Sequence, residues 1–279
     1  MDDTLIDIDT RREYRDFAVE AATRAADVLE ANFRSQIDVR AKAETELVSE
    51  IDLQAEEAIL SHVRKEFPSH AILSEESGAA EGTNTDSSND DADTPRWIID
   101  PLDGTHNYVN GFSHYSVSVA VAVNGRIVAG TVVCPATDDV YSAVRGDGAR
   151  KNDQELSVSS VETLEESFLA AGISPPATDD EEFQQLLEWC QRKGHTQGIR
   201  RLGSGAADLC LVAEGIFDGY VDKYTSPWDV AAGSLIVTEA GGRTTDFEGD
   251  DLDYQMGERS LHVRASNGRI HKDLATPHR

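Results

Sequence analysis

The sequence predicts a layered α/β protein of one or two domains, on three observations. Apolar residues recur at helical spacing from Thr10 to about Phe67. The period then changes to strand-type runs between Trp97 and Val144, and beyond these helices alternate with short strands. Taken in order, Thr10 and Glu13 fit a capping box, and Phe17, Ala21, Ala25, Val28 and Leu29 share one face of a first helix. A second helix fits Ser49 to Phe67, with Ser49 as its cap and Ile51, Ala55, Ile59 and Val63 on one face. Residues 79–94 are acidic, small and rich in Gly, Ser and Asn, which reads as an exposed loop. Trp97 to Asp100 is a short apolar run ending in an acid. Ser116–Val123 and Ile127–Val133 are strands joined by Asn124-Gly125, a strong hairpin signal, and Val140–Val144 adds a strand before the turn at Gly146-Asp147-Gly148. This region is expected to be an antiparallel meander. Helices are then expected at 181–193, 204–214 and 229–240, with strands near Phe168–Ala171, Phe217–Val221 and His262–Ala265. A boundary near residue 159 divides an N-terminal α+β domain, 1–159, from a C-terminal α/β domain, 160–279.

Charge excludes one class of function. The 279 residues hold 25 Lys and Arg against 52 Asp and Glu, a net charge of −27, so a simple phosphate-backbone binder is ruled out and no nucleic-acid partner is expected. At 39% hydrophobic and 28% charged the chain folds rather than forming an acidic tail. Only six of the 25 basic residues are Lys, and an acidic surface poor in lysine suits high salt, where repulsion is screened within a few ångströms. Cys134, Cys190 and Cys210 have no metal or disulfide spacing, and no apolar leader or membrane-length run occurs. A reduced, cytoplasmic protein with no membrane partner is expected.

The most informative stretch is Ile98-Ile99-Asp100-Pro101-Leu102-Asp103-Gly104-Thr105. Two carboxylates three residues apart at the end of an apolar strand can converge on a hard cation. Gly104 permits an unusual backbone turn, and the residues after it can open a helix whose N–H groups accept phosphate. Alone, the octapeptide is equally a strand followed by an Asp-Gly turn. Glu75-Glu76 after Ile72-Leu73, Asp229 in Trp228-Asp229-Val230-Ala231-Ala232-Gly233, and Asp52 in Ser49-Glu50-Ile51-Asp52 also have ordinary readings, as solvated acids or helix starts.

Together the segments ILSEES, IIDPLDGTHNY, LGSGAADL and WDVAAG, in that order over roughly residues 40–243, resemble the inositol monophosphatase family. That family sits in a magnesium-dependent, lithium-sensitive phosphatase superfamily that also contains fructose-1,6-bisphosphatases. The resemblance implies an α-β-α-β-α layered sandwich of the sugar phosphatase type. It also implies Mg²⁺-dependent hydrolysis of an inositol or sugar phosphomonoester by metal-activated water, with two or three Mg²⁺ per site, Mn²⁺ able to substitute, and a homodimer. Glu75, Asp100 and the Leu102 carbonyl would hold one Mg²⁺, Asp100, Asp103 and Asp229 a second, and Glu76 a weaker third. Asp52 and Thr105 match the water-activating pair, with Glu75 beside them through its metal. Asp103, Gly104 and Thr105 would meet the phosphate, and Gly203, Ser204, Gly205 and Asp222 the alcohol part of the substrate.

Several positions depart from the family pattern. His106 stands where a small hydroxyl residue is frequent, and is read as a packing or phosphate-contacting residue before a catalytic acid. Glu46 replaces a frequent Asp, the Lys42 segment is one residue short, and Asp222 is shorter than the common Glu. Arg200, Arg201 and Lys223 could receive a second phosphate or form structural ion pairs, so inositol monophosphate and fructose 1,6-bisphosphate both stay open. A phosphatase of 3′-phosphoadenosine 5′-phosphate and a catalytically idle interaction protein are the alternatives.

Overall fold

The computed structural model describes residues 6–35, 39–43, 46–80, 94–173, 180–191, 194–254 and 260–275. Helix α1 (Ile8–Asn32) begins earlier than its expected cap. Asp7 rather than Thr10 closes the first turn, its carboxylate accepting the N–H groups of Asp9 and Thr10 at 3.0 Å each. Strands β1 (Val39–Ala43) and β2 (Glu46–Ser49) pair with each other and lead into α2 (Glu50–Glu66). The side chains of Lys42 and Glu46 lie outside the described residues. Ile51, Ala55, Ile59 and Val63 form the buried face of α2, as the periodicity requires.

The eight-stranded sheet runs β10-β9-β8-β7-β6-β5-β3-β4. Its members are β3 (Ala71–Ser74), β4 (Gly78–Ala80), β5 (Arg96–Asp103), β6 (Ser116–Val123), β7 (Arg126–Cys134), β8 (Asp139–Val144), β9 (Gly148–Lys151) and β10 (Gln154–Glu155). The expected loop therefore starts with a strand, β4, and residues 81–93 lie outside the described residues. The hairpin between β6 and β7 turns on Asn124 at φ 52° and Gly125 at φ 72°, the twist that a two-residue turn needs. One pairing is parallel, β3 with β5, and it places Ser74 opposite Ile99.

Helix α1 packs on α2 and on β6 to β8, while α6 (Pro227–Glu239) packs on the opposite face, against β5 to β9, and on α5 (Gly205–Ala213). Strand β6 reads SVSVAVAV and is buried throughout, because its two faces lie in different cores. Val117, Val119, Val121 and Val123 meet the α1/α2 layer, and Ala120 and Ala122 meet the α6 layer. Small residues on that second face bring α6 close: a Cβ on Gly130 of β7 would lie 2.9 Å from the Cα of Ala232.

Beyond α5 and α6 lies a five-stranded sheet, β12-β11-β13-β15-β14. It comprises β11 (Phe168–Ala171), β12 (Gly198–Arg200), β13 (Gly219–Thr225), β14 (Arg243–Thr245) and β15 (Leu261–Ser266). Helix α4 (Glu181–Gln191) packs on β12, and Phe183 and Leu187 join Leu169 and Val221 in a third core. The layers are thus α-β-α-β-α. The central core takes residues from both sides of residue 159, among them Ile98, Ala120, Leu209, Ile236 and Val263. Helix α6 starts at Pro227, two residues before the expected start, because a proline in the first turn gives up no hydrogen bond. Residues 192–193, the expected end of α4, and the side chain of Trp189 lie outside the described residues. Trp97, Trp228, Cys190 and Cys210 are buried packing residues, and Cys134 is half-buried. No described helix is long and apolar enough to cross a membrane.

Candidate active site

Strand β5 supplies the centre of the site. Its pairing with β6 slips between Asp100 and Asp103, where Pro101 has no N–H to give, so Asp100 stands opposite Ser118 and Asp103 opposite Ser116. The backbone N–H of Leu102 donates to Asp100 Oδ1 at 3.0 Å. Gly104 then takes φ 96° and opens α3 (Thr105–Val109), in a cleft too tight for a side chain: a Cβ would lie 3.1 Å from the Gly203 carbonyl oxygen.

Acids from three other segments, the turn after β3, helix α2 and helix α6, surround this strand end. Glu75 follows β3, and its N–H donates to the Ile99 carbonyl of β5 at 3.2 Å. Burial, then the charges of Glu75, Asp103 and Asp229, push the Asp100 carboxyl well above its ordinary value. Asp103 Oδ2 accepts Ser204 Oγ at 2.7 Å and the Ala206 N–H at 2.8 Å. Burial and Asp229 nonetheless raise its pKa to about 7. Asp229 lies in the first turn of α6, where Oδ2 accepts Thr225 Oγ1 at 2.8 Å and the Ser226 N–H at 3.0 Å. Its helix-start role and its closeness to the other acids are therefore both real. Asp52, in the first turn of α2, is 1% exposed and faces Thr105, whose Oγ1 lies 3.2 Å from Asp52 Oδ1 and 3.1 Å from the Leu102 carbonyl oxygen. Glu76 is half-buried beside Glu75.

Like charges in so little water cost stability unless protons or cations offset them. Among the described residues no three His, Cys, Asp or Glu side chains are placed so as to hold a metal ion together. The donors nevertheless fit a hard cation: the acids that act on Asp100 present only carboxylate oxygen, and they already depress one another's ionisation.

The inositol monophosphatase family profile matches residues 10–278. The chain belongs to this family. It is 38% identical over 264 residues to the protein named Nus factor SuhB of Pasteurella multocida, covering 92% of each chain. It is 36% identical over 241 residues to the inositol-1-monophosphatase of Rhizobium meliloti, covering 86% of this chain and 87% of the relative. Among solved structures, the extragenic suppressor protein SuhB of Bartonella henselae superposes with a TM-score of 0.84 at 33% identity, covering 93% of this chain and 96% of that one. The inositol monophosphatase of Thermotoga maritima superposes with a TM-score of 0.82 at 32% identity, covering 94% and 95%.

The residues that the resemblance assigns to the alcohol part of a substrate take different environments. Gly203, at φ 87°, lies beside Gly104, and Ser204 faces Asp103 from a position 1% exposed. Gly205 begins α5 close to the Tyr220 hydroxyl. Asp222 is sunk, 5% exposed, with Oδ2 accepting the Tyr220 hydroxyl at 2.9 Å and Oδ1 without a side-chain hydrogen-bond partner among the described residues. Burial raises its pKa to about 8. Lys223 donates to Asp180 at 2.8 Å, Arg201 donates to the Ile173 carbonyl at 2.8 Å, and Arg200 lies 4.8 Å over the Phe168 ring. Lys223 thus forms an ion pair, while Arg200 and Arg201 are exposed. His106 is exposed at the mouth of α3.

Other residues escaped the sequence. Asn107 Nδ2 donates to the carbonyls of His114 and Leu202 at 2.6 and 2.7 Å, tying α3 to the loop before α5. His114 Nε2 lies 2.9 Å from Asp208 Oδ1, beneath the same loop. Gly172 permits the seat of Asp222, because a Cβ there would lie 2.0 Å from Oδ2. Asn107, inside IIDPLDGTHNY, and Asp208, inside LGSGAADL, offered a sequence signal; His114 and Gly172 did not.

Proposed function

We propose that this family member is a Mg²⁺-dependent phosphatase of small phosphorylated polyols or sugars. The observation that carries the proposal is the buried Asp100 carboxyl, held among Glu75, Asp103 and Asp229 with its ionisation suppressed. Glu75, Asp100 and the Leu102 carbonyl would hold one cation, Asp100, Asp103 and Asp229 another, and Glu76 a weaker third, with Mn²⁺ able to replace Mg²⁺. When bound, the cations supply charge neutralisation of the phosphoryl group and a water of lowered pKa.

The chain's own groups do the rest. Thr105 carries one hydroxyl proton and has two acceptors in reach, so its hydrogen bond to Asp52 leaves the oxygen's lone pairs to orient the attacking water. Asp52, shielded from solvent, keeps that hydroxyl in place and can take up the proton the water sheds. The backbone at Gly104 and Thr105 meets the phosphate, where no side chain of residue 104 intrudes. Ser204 and the Ala206 N–H hold Asp103 while the leaving oxygen departs. Gly203, Gly205 and Asp222 form the alcohol side. A protein nucleophile is not needed.

Inositol phosphate is the substrate favoured here, because Lys223 is committed to Asp180 rather than open to a second phosphate. The test is phosphate release from myo-inositol 1-phosphate, fructose 1,6-bisphosphate and 3′-phosphoadenosine 5′-phosphate, with Mg²⁺ and again with Li⁺. Faster release from the inositol ester, inhibited by Li⁺ at millimolar levels, is expected. Faster release from either of the other two would reassign the substrate. A second reading, an interaction protein, draws support from the relatives named Nus factor SuhB. Phosphate release absent from all three substrates would favour it. A homodimer, a cytoplasmic location and adaptation to high salt complete the proposal.

A further inference from the structure

Glu56 lies one helical turn beyond Asp52 on α2 and is 4% exposed. Both of its oxygens face the turn that carries Glu75 and Glu76. Oε1 accepts Ser74 Oγ at 2.5 Å and the Ser77 N–H at 3.0 Å, while Oε2 accepts Ser77 Oγ at 2.5 Å. One buried carboxylate thus grips the residue before the acid pair and the residue after it. The turn is also tied through its backbone, by the Glu75 N–H to the Ile99 carbonyl in the strand that leads to Asp100 and by the pairing of Ser74 with Gly78.

Placing a further negative charge beneath an acidic centre is electrostatically unfavourable, and fold stability alone gives no reason for it. Three donors to one carboxylate do compensate it, and they hold the turn against the repulsion between Glu75 and Asp100. The same helix carries Asp52, bonded to Thr105. Its first two turns therefore hold the water-orienting pair and the acid-bearing turn at a fixed separation.

We propose that Glu56 is a positioning residue for cation binding: through Ser74 and Ser77 it fixes the Glu75–Glu76 turn in register with Asp52. The inference rests on the cation-dependent reading above and adds a residue to it. Groups that orient metal ligands typically alter affinity by roughly 10- to 100-fold when removed.

The test measures Mn²⁺ binding calorimetrically to the metal-stripped full chain and to Glu56→Gln, Glu56→Ala and Ser77→Ala, with thermal melts and kcat at saturating Mn²⁺ beside it. Val63→Ala, a buried change farther along α2, controls for lost stability. Glu56→Ala is expected to weaken the Mn²⁺ Kd by roughly tenfold or more, and Glu56→Gln by less, since one carbonyl oxygen still accepts. Ser77→Ala should follow the same direction, kcat should stay within about threefold, and Val63→Ala should leave Kd unchanged. If Glu56→Ala does not fold, Ser77→Ala, which removes one hydroxyl, decides. An unchanged Kd in the folded Glu56 and Ser77 variants would overturn the positioning role alone. Failure of the wild-type chain to bind Mn²⁺ would overturn the cation reading and the positioning role together.

Discussion

Replacing Thr105 by Ala separates chemistry from stability. The hydroxyl lies 3.2 Å from Asp52 Oδ1 and 3.1 Å from the Leu102 carbonyl oxygen, so its single proton serves one acceptor at a time. Losing it removes one long hydrogen bond from a carboxylate that is 1% exposed. That costs about 1–2 kcal/mol of stability, and in a chain of this size lowers Tm by roughly 2–8 °C. The effect on rate is expected to be larger, since Thr105 is the hydroxyl proposed to orient the water: kcat should fall by about 10²-fold or more. Divalent-cation affinity should hold to within about twofold, since Thr105 is not assigned as a ligand. Thr105→Ser, which keeps the hydroxyl, should recover kcat to within about threefold. The assay is phosphate release against myo-inositol 1-phosphate at saturating Mg²⁺, with Tm measured on the same preparations. A wild-type kcat in Thr105→Ala would show that Asp52 and Thr105 do not activate water.

Four further outcomes are expected. Asp103→Asn should need several-fold more Mg²⁺ for half-saturation and lose about 10²-fold in kcat, a result checked by Mg²⁺ titration of initial rates. Gly172→Ala forces a Cβ to 2.0 Å from Asp222 Oδ2 and 2.6 Å from the Tyr220 hydroxyl, so it should cost about 1–3 kcal/mol and raise KM more than it lowers kcat. Melting curves and steady-state kinetics would contradict this if both stayed at wild-type values. In chelator, stability should fall as pH rises from about 5 to 8: burial lifts Asp103 to about 7 and Asp222 to about 8 from 3.8, so across that window the folded chain keeps protons that the unfolded chain has released. Added Mg²⁺ should reverse the trend by selecting the ionised carboxylates, and a Tm in chelator that climbs with pH would refute the burial argument. With a net charge of −27, Tm should also rise as KCl goes from dilute to molar, and a flat or falling curve would exclude adaptation to salt.

What could be read in advance was local or repeated. The alternation in SVSVAVAV and the Asn124-Gly125 pair fixed β6, β7 and their turn, because strand period and turn dihedrals are properties of neighbours in sequence. The acids of the site were legible because they sit in compact motifs, Glu75-Glu76 and Asp100 to Thr105 above all. What escaped depends on partners distant in the chain. Strands β12 and β14 are three residues each and exist because β11 and β15 pair with them. Gly172 is an unremarkable glycine until β13 lies beside β11 and brings Asp222 against it. Glu56 looks like any acid on a helix until the β3–β4 turn folds over it. The resemblance alone assigns Asp222 to the alcohol side, and its depth and its bond to Tyr220 appear only in three dimensions.

The most direct test of the central claim is phosphate release from myo-inositol 1-phosphate by the chelator-stripped full chain as Mg²⁺ is returned. Without the cation no release above background is expected, and as Glu75, Asp100, Asp103 and Asp229 are neutralised it should rise to saturation. Undiminished release in excess chelator would contradict the claim.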